Sequence, residues 1–162
     1  MKYLKIILIL FISLIFVSCN ENSVEPNEQF VKILFKYNYK DELNTYDNYL
    51  VKDLVLDGLK KVKFYLTEEE QQKIKNKINE TNFYSLPDTI IDNSPVEISP
   101  NFQQYLRIKI NDQEKEITWK YITPEYQTES YKSIEELSNY IIQIIESKPE
   151  YKTLPPRNGG YD

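Results

Sequence analysis

From Phe30 onward, apolar and polar residues alternate. Val31, Ile33, Phe35, Tyr37 and Tyr39 fall on one face of an extended segment, with Lys32, Lys36, Asn38 and Lys40 mostly on the other. That two-residue period predicts a half-buried strand. Asp41 to Asp47 is polar and reads as a connection. Tyr49 to Leu56 predicts a second strand, and Asp57-Gly58 is a hairpin signal before a third, Leu59 to Leu66. Thr67-Glu68-Glu69-Glu70 is a capping box that opens a helix: Thr67 is the N-cap, and Glu70 reaches back to it. Ile74 and Ile78 mark its buried stripe, and the helix is expected to end near Thr81.

Leu86 to Asn101 contains Pro87, Pro95 and Pro100 and reads as a long loop. Alternation resumes over Phe102 to Ile110. Asn111-Asp112 is a turn, and Lys115 to Ile122 is the returning strand, with Ile117 and Trp119 on one face. Ser133-Ile134-Glu135-Glu136 repeats the capping logic. Ile134, Leu137, Ile141, Ile144 and Ile145 recur at helical spacing until Pro149 interrupts. The expected fold is α+β: an antiparallel sheet of about five strands with two helices packed on one face, in the order β-β-β-α-β-β-α. The domain spans 29–148, and 149–162 is expected to be an irregular Pro- and Gly-containing tail.

The first residues follow another pattern. Lys2 and Lys5 precede an apolar run from Ile6 to Val17, broken only by Ser13. The run is shorter than the ~20 residues a spanning helix needs, and it has the organisation of a secretory signal. Ser18-Cys19 at its end resembles the processing site of a bacterial lipoprotein, which implies a removed signal at 1–18 and acylation, palmitate included, on Cys19. Cys19 is the only cysteine in the chain, and a free thiol is a liability in an oxidising compartment. Attachment of two or more acyl chains makes anchoring stable. Asn20 after the cysteine resembles the enterobacterial sorting rule for the outer membrane. Residues 19–28 are expected to be the lipidated cysteine and a flexible tether. The expected location is the bacterial cell envelope, with the membrane as a partner through the lipid.

Composition narrows the chemistry. Histidine is absent, so Ser-His-Asp and Cys-His triads and His-ligated zinc are excluded. Without Lys2 and Lys5 the 20 basic residues fall to 18 against 25 acidic ones, a net charge of −7. Nucleic-acid binding needs the opposite balance. The chain has 14 tyrosines, and tyrosine joins a flat apolar ring to a polar hydroxyl, which suits recognition of a protein or glycan. Tyr37, Tyr39, Tyr46 and Tyr49 near the first hairpin and Tyr121, Tyr126 and Tyr131 near the second are the candidate binding residues. Asp88, Asp92 and Glu97 in the Pro-rich loop are the carboxylates a hydrolase of an envelope polymer would need. No EF-hand frame surrounds them. The Lys60, Lys61, Lys63 cluster reads as the solvated face of a strand. Neither a metal nor a cofactor is expected, and no catalytic residue is assigned. The composition favours a non-catalytic binding module over a hydrolase or a purely structural lipoprotein.

Three stretches carry a resemblance. They are the signal ending at Cys19, the run Phe64-Tyr65-Leu66-Thr67-Glu68-Glu69-Glu70 followed by Asn82-Phe83-Tyr84, and the segment from Ile144 to Pro155. Together they resemble the small uncharacterised bacterial lipoproteins that carry a single domain of unknown function. Such families have no established activity, so the resemblance implies a location and no site residues.

Overall fold

The computed structural model describes residues 30–95 and 99–161. Seven strands form one sheet: β1 (Val31–Tyr37), β2 (Asp41–Asn44), β3 (Tyr49–Asp53), β4 (Leu59–Lys63), β5 (Thr89–Ile90), β6 (Gln104–Ile110) and β7 (Gln113–Trp119). Their spatial order is β4-β3-β2-β1-β6-β7-β5. Every pairing is antiparallel except β5 on β7, which is parallel. Three helices follow the same numbering: α1 (Glu68–Glu80), α2 (Glu129–Ser147) and α3 (Pro149–Lys152).

The expectation of about five antiparallel strands and two helices is therefore corrected, among the described residues, to a seven-stranded mixed sheet with three helices. The reasons are local. Asp41 to Asn44 is a strand although its pattern is polar, because Leu43 alone points inward as an apolar residue and Asp41 is buried with a charged partner far along the chain. β5 has two residues, too few for any period, and is held by pairing with β7 and by the Thr118 amide donating to the Asp88 carbonyl at 2.9 Å. Pro149 ends α2, as expected, and then serves as the first residue of α3, where its missing N–H costs nothing. The α2 start lies earlier than expected. Thr128, not Ser133, is its N-cap and accepts from the Tyr131 amide at 3.2 Å.

Where the pattern was clear, the structure follows it. Val31, Ile33, Phe35 and Tyr37 alternate inward, opposite Ile110, Ile108 and Leu106 of β6. Asn111-Asp112 closes a two-residue hairpin, with Asn111 at φ 53°. The Thr67–Glu70 capping box is formed at 3.2 and 2.8 Å. Gly58 has φ 69°, although five residues rather than two separate Asp53 from Leu59.

α1 and α2 cover the core face of the sheet. Ile74 and Ile78 of α1 and Ile134, Leu137, Ile141 and Ile145 of α2 join the strand residues in one buried cluster. Buried polar groups fix the alignment. Gln71 of α1 accepts from the Val31 amide at 3.1 Å and donates to the Leu66 carbonyl at 3.3 Å. Glu135 of α2 accepts from the Trp119 indole at 2.7 Å. Lys148 clamps the end of α2 to Glu70 at the start of α1 at 2.9 Å.

Removing buried methylenes leaves voids that a packed core does not refill. Leu137→Ala and Ile141→Ala are each expected to cost ~2–5 kcal/mol in urea unfolding. Ile144 is only half-buried, and Ile144→Ala should cost roughly 1 kcal/mol. Equal losses at all three positions would contradict this packing.

Candidate functional site

Strand direction gathers one set of loops. β1, β3, β5 and β7 end, and β2, β4 and β6 begin, at the same end of the sheet. This loop end carries the β1–β2 turn, the β3–β4 loop, the segment after β5, the approach to β6 and the exit from β7. Among the described residues the exposed large hydrophobics are Tyr39, Leu56, Leu59, Ile91, Tyr121 and Tyr126. Five lie in these loops or at the first residue of β4. The sixth, Tyr126, lies on the connection from β7 to α2.

At its centre is an aromatic cluster. The Tyr39 ring lies 4.2 Å from Phe102 and 4.2 Å, edge-on, from Tyr161. Lys40 places its ammonium 4.7 Å from the Tyr39 ring and 5.2 Å from Tyr161. Beside Phe102, Asn101 exchanges two 3.0 Å hydrogen bonds with the Tyr121 backbone, which ties the second exposed tyrosine to the same end. Next to it opens a cavity of about 650 Å³. Ile91 and Trp119 give it apolar wall, Thr89, Asn101 and Gln103 neutral polar groups, and Asp92 its one carboxylate among the described residues.

Two backbone outliers sit here as well. Tyr39 has φ 76° and Val55 has φ 67°, a region that bulky and β-branched residues rarely occupy. Such conformations cost of order 1–3 kcal/mol each and persist where surrounding contacts fix them, often at functional sites. Asn38 donates to Asp41 at 3.3 Å and the Lys40 amide donates to the Asn38 carbonyl at 3.1 Å, which holds the first turn. Asp53 accepts from the Val55 amide at 3.0 Å and holds the second.

Beneath the cluster lie two carboxylates, Asp41 and Asp53, 2% and 1% exposed. Asp41 accepts from the Asp53 amide at 2.8 Å, from Asn38 and from the Arg157 guanidinium. Burial pushes the Asp41 carboxyl up, and the Asp53 amide and Arg157 only partly offset it. Burial also acts to raise Asp53, but hydrogen bonds from the Tyr161 hydroxyl and the Val55 amide outweigh it and hold that carboxyl below its usual range. Sequence reasoning missed this pair, because both acids look like ordinary polar positions and their partners lie more than 100 residues away.

The seven candidate tyrosines divide. Tyr39, Tyr121 and Tyr126 are exposed. Tyr37 and Tyr131 are corrected to core residues, 3% and 2% exposed, out of a partner's reach. Tyr37 stacks on Phe35 at 4.6 Å, and burial raises its hydroxyl far above the usual range. Burial pushes Tyr131 up to about 12. Tyr46 and Tyr49 lie half-buried, away from the loop end. Tyr46 donates to Glu114 at 3.1 Å beneath Arg107, and Tyr49 donates to Glu42 with Lys61 3.4 Å above its ring. Asp88, 80% exposed, pairs with Lys115 at 2.7 Å. Asp92 accepts from the Ser94 amide at 2.8 Å. Cys19 and Glu97 lie outside the described residues. Lys60, Lys61 and Lys63 are exposed on β4, as expected. Among the described residues no group of three His, Cys, Asp or Glu could hold a metal. Phe102, Tyr161, Leu56 and Ile91 were not singled out by sequence reasoning; the only signal was apolar residues beside turns.

The Asp53–Tyr161 bond gives a pH test. A carboxyl whose folded pKa is depressed contributes stability above its unfolded value, near 3.9, and loses it as pH falls through the folded value. Tyr161→Phe removes the strongest lowering bond. The stability gap between wild type and Tyr161→Phe in urea should therefore be present at pH 7 and close as pH falls through the lowered folded value of Asp53. Asp41, shifted the other way, is common to both proteins. A gap that widens in acid would contradict the assignment. Comparison with protein-family models, with curated proteins and with solved structures finds no match to this chain.

Proposed function

We propose that this chain is a lipid-anchored protein of the bacterial cell envelope whose domain is a non-catalytic binding module, engaging an envelope protein or glycan through the loop end. One observation carries the reading: five of the six exposed large hydrophobics among the described residues gather at that end instead of scattering over the surface. Singly exposed apolar residues are ordinary, whereas grouped ones beside a polar cavity mark interaction sites. The strained Tyr39 and Val55 backbones support the same location. No catalytic role is assigned to Asp88 or Asp92, since Asp88 is engaged by Lys115 and Asp92 faces no second carboxylate among the described cavity residues.

The anchor fits this geometry. Val31, the first residue of β1, follows Cys19 by 12 residues and lies at the end of the sheet opposite the loops. A tether joined there leaves the loop end clear of the attachment point. Among the described residues no helix is long and apolar enough to cross a membrane; in this reading the lipid on Cys19 supplies the attachment.

Two measurements test the two halves separately. Cys19→Ala should abolish palmitate labelling and move the protein out of the detergent phase; unchanged partitioning would remove the anchor. In pull-downs from solubilised envelope, Tyr39→Ala and Tyr121→Ala should each lower capture of a partner about tenfold, the loss typical of a contact residue worth more than ~1 kcal/mol. Lys109→Ala, towards the other end of β6, should leave capture unchanged. Equal capture by all three variants would remove the loop end from recognition.

A further inference from the structure

The tail after α3 is not free. The chain is packed on the core as far as Leu154; residues 155–160 are exposed and form no helix or strand. Their side chains nevertheless land on the loop end in sequence. Arg157 pairs with Asp41, and Asn158 donates to Asp57 and accepts from the Asp57 amide at 3.3 Å. Gly159 lies so close to Val55 and Leu56 that a Cβ there would meet side-chain atoms of both at 3.2 Å. Tyr161 donates to Asp53 and stands edge-on to Tyr39. A single backbone bond, from the Asn158 amide to the Leu54 carbonyl at 3.2 Å, accompanies these contacts.

This is the geometry of a ligand on a receptor. Three aspartates and an aromatic platform on the domain receive an arginine, an asparagine and a tyrosine from an extended segment. Recognition of an arginine by a buried carboxylate and of an aromatic ring by an aromatic cluster is the chemistry of interface hot spots. We infer that residues 157–161 are a displaceable intramolecular ligand of the loop end, and that what replaces them is an extended protein segment carrying an arginine and, four residues on, a tyrosine. The inference rests on the loop end being a binding surface and narrows its partner to a peptide. Residues 155–160 are exposed and none of them belongs to the core cluster, so the segment can peel away as a unit. Its release leaves Asp41 buried without its cation, a state that favours recapture of another guanidinium.

The test uses the full chain with a protease recognition sequence inserted between Leu154 and Pro155, and a fluorescent peptide of residues 155–162. After cleavage the protein should keep its near-UV circular dichroism and bind the peptide, by anisotropy, at least tenfold more tightly than the uncut chain. An Arg157→Ala peptide should bind at least tenfold more weakly than the native one. Gly159→Ala in the uncleaved chain should loosen the tail and raise peptide binding without any cut. Loss of the folded spectrum on cleavage would make the tail a structural element and overturn the inference. So would a folded, cleaved protein that releases its tail and binds no peptide, or an uncut chain that binds equally well. Tail exchange between two copies, seen as a dimer on gel filtration of the cleaved and religated chain, would support it, with a second copy as the partner. Capture of peptidoglycan or polysaccharide with no peptide exchange would overturn the inference and leave the proposed function standing.

Discussion

Everything in this domain depends on β1 being paired on both sides. Val31, Ile33 and Phe35 are fully buried, with β2 on one edge of the strand, β6 on the other and the helices across its face. Among the described strands β1 joins the β2–β3–β4 meander to the β6–β7 hairpin, so each half of the sheet acquires its place through it. The pairing continues beyond Asn44, where Thr45 accepts from the Ile33 amide at 2.7 Å and its own amide donates to the Ile33 carbonyl at 2.8 Å. Buried in this way, the strand has no unpaired edge and one register.

That register decides what happens at the loop end. With Tyr37 inward, the next residues must reverse direction over a sheet already filled, and Asn38 and Tyr39 do so with positive φ. The Tyr39 ring is thereby turned outward onto Phe102, at the start of the neighbouring hairpin. Asp41, the first residue of β2, is carried inward by the same alternation, and among the described residues its ion-pair partner is Arg157 of the tail. A buried carboxylate without a cation is costly, which favours its capture of a guanidinium. Aromatic cluster, strained turn, buried carboxylate and docked tail are thus consequences of one strand's placement.

Much of this was legible in the sequence and some was not, for physical reasons. β1, β6, the Thr67–Glu70 box and the Ile134–Ile145 stripe depend on local periodicity and capping, and local patterns are visible in a sequence. β2 and β5 depend on neighbours supplied by distant segments; Leu43 or Ile90 alone sets no period. Ser133 looked like a cap because Glu136 follows it at the right spacing, yet Thr128 had already opened the helix. Surplus tyrosine drew attention to Tyr39 and Tyr121, which are exposed, but residue type does not separate them from Tyr37 and Tyr131, whose rings alternation and helical spacing turn inward. Arg157 and Tyr161 stand in a stretch of Pro and Gly that reads as irregular, which it is. Irregular backbone can still be held by side chains, and no local signal reveals that.

The central claim is that the loop end, and not the open face of the sheet, meets the partner. Site-specific photocrosslinking in intact cells tests it most directly, with a benzophenone side chain placed at Tyr39, at Tyr121 and, on the open face, at Leu34. The account predicts discrete covalent adducts from Tyr39 and Tyr121 and none from Leu34. Adducts from Leu34 alone, or from all three positions equally, would contradict it.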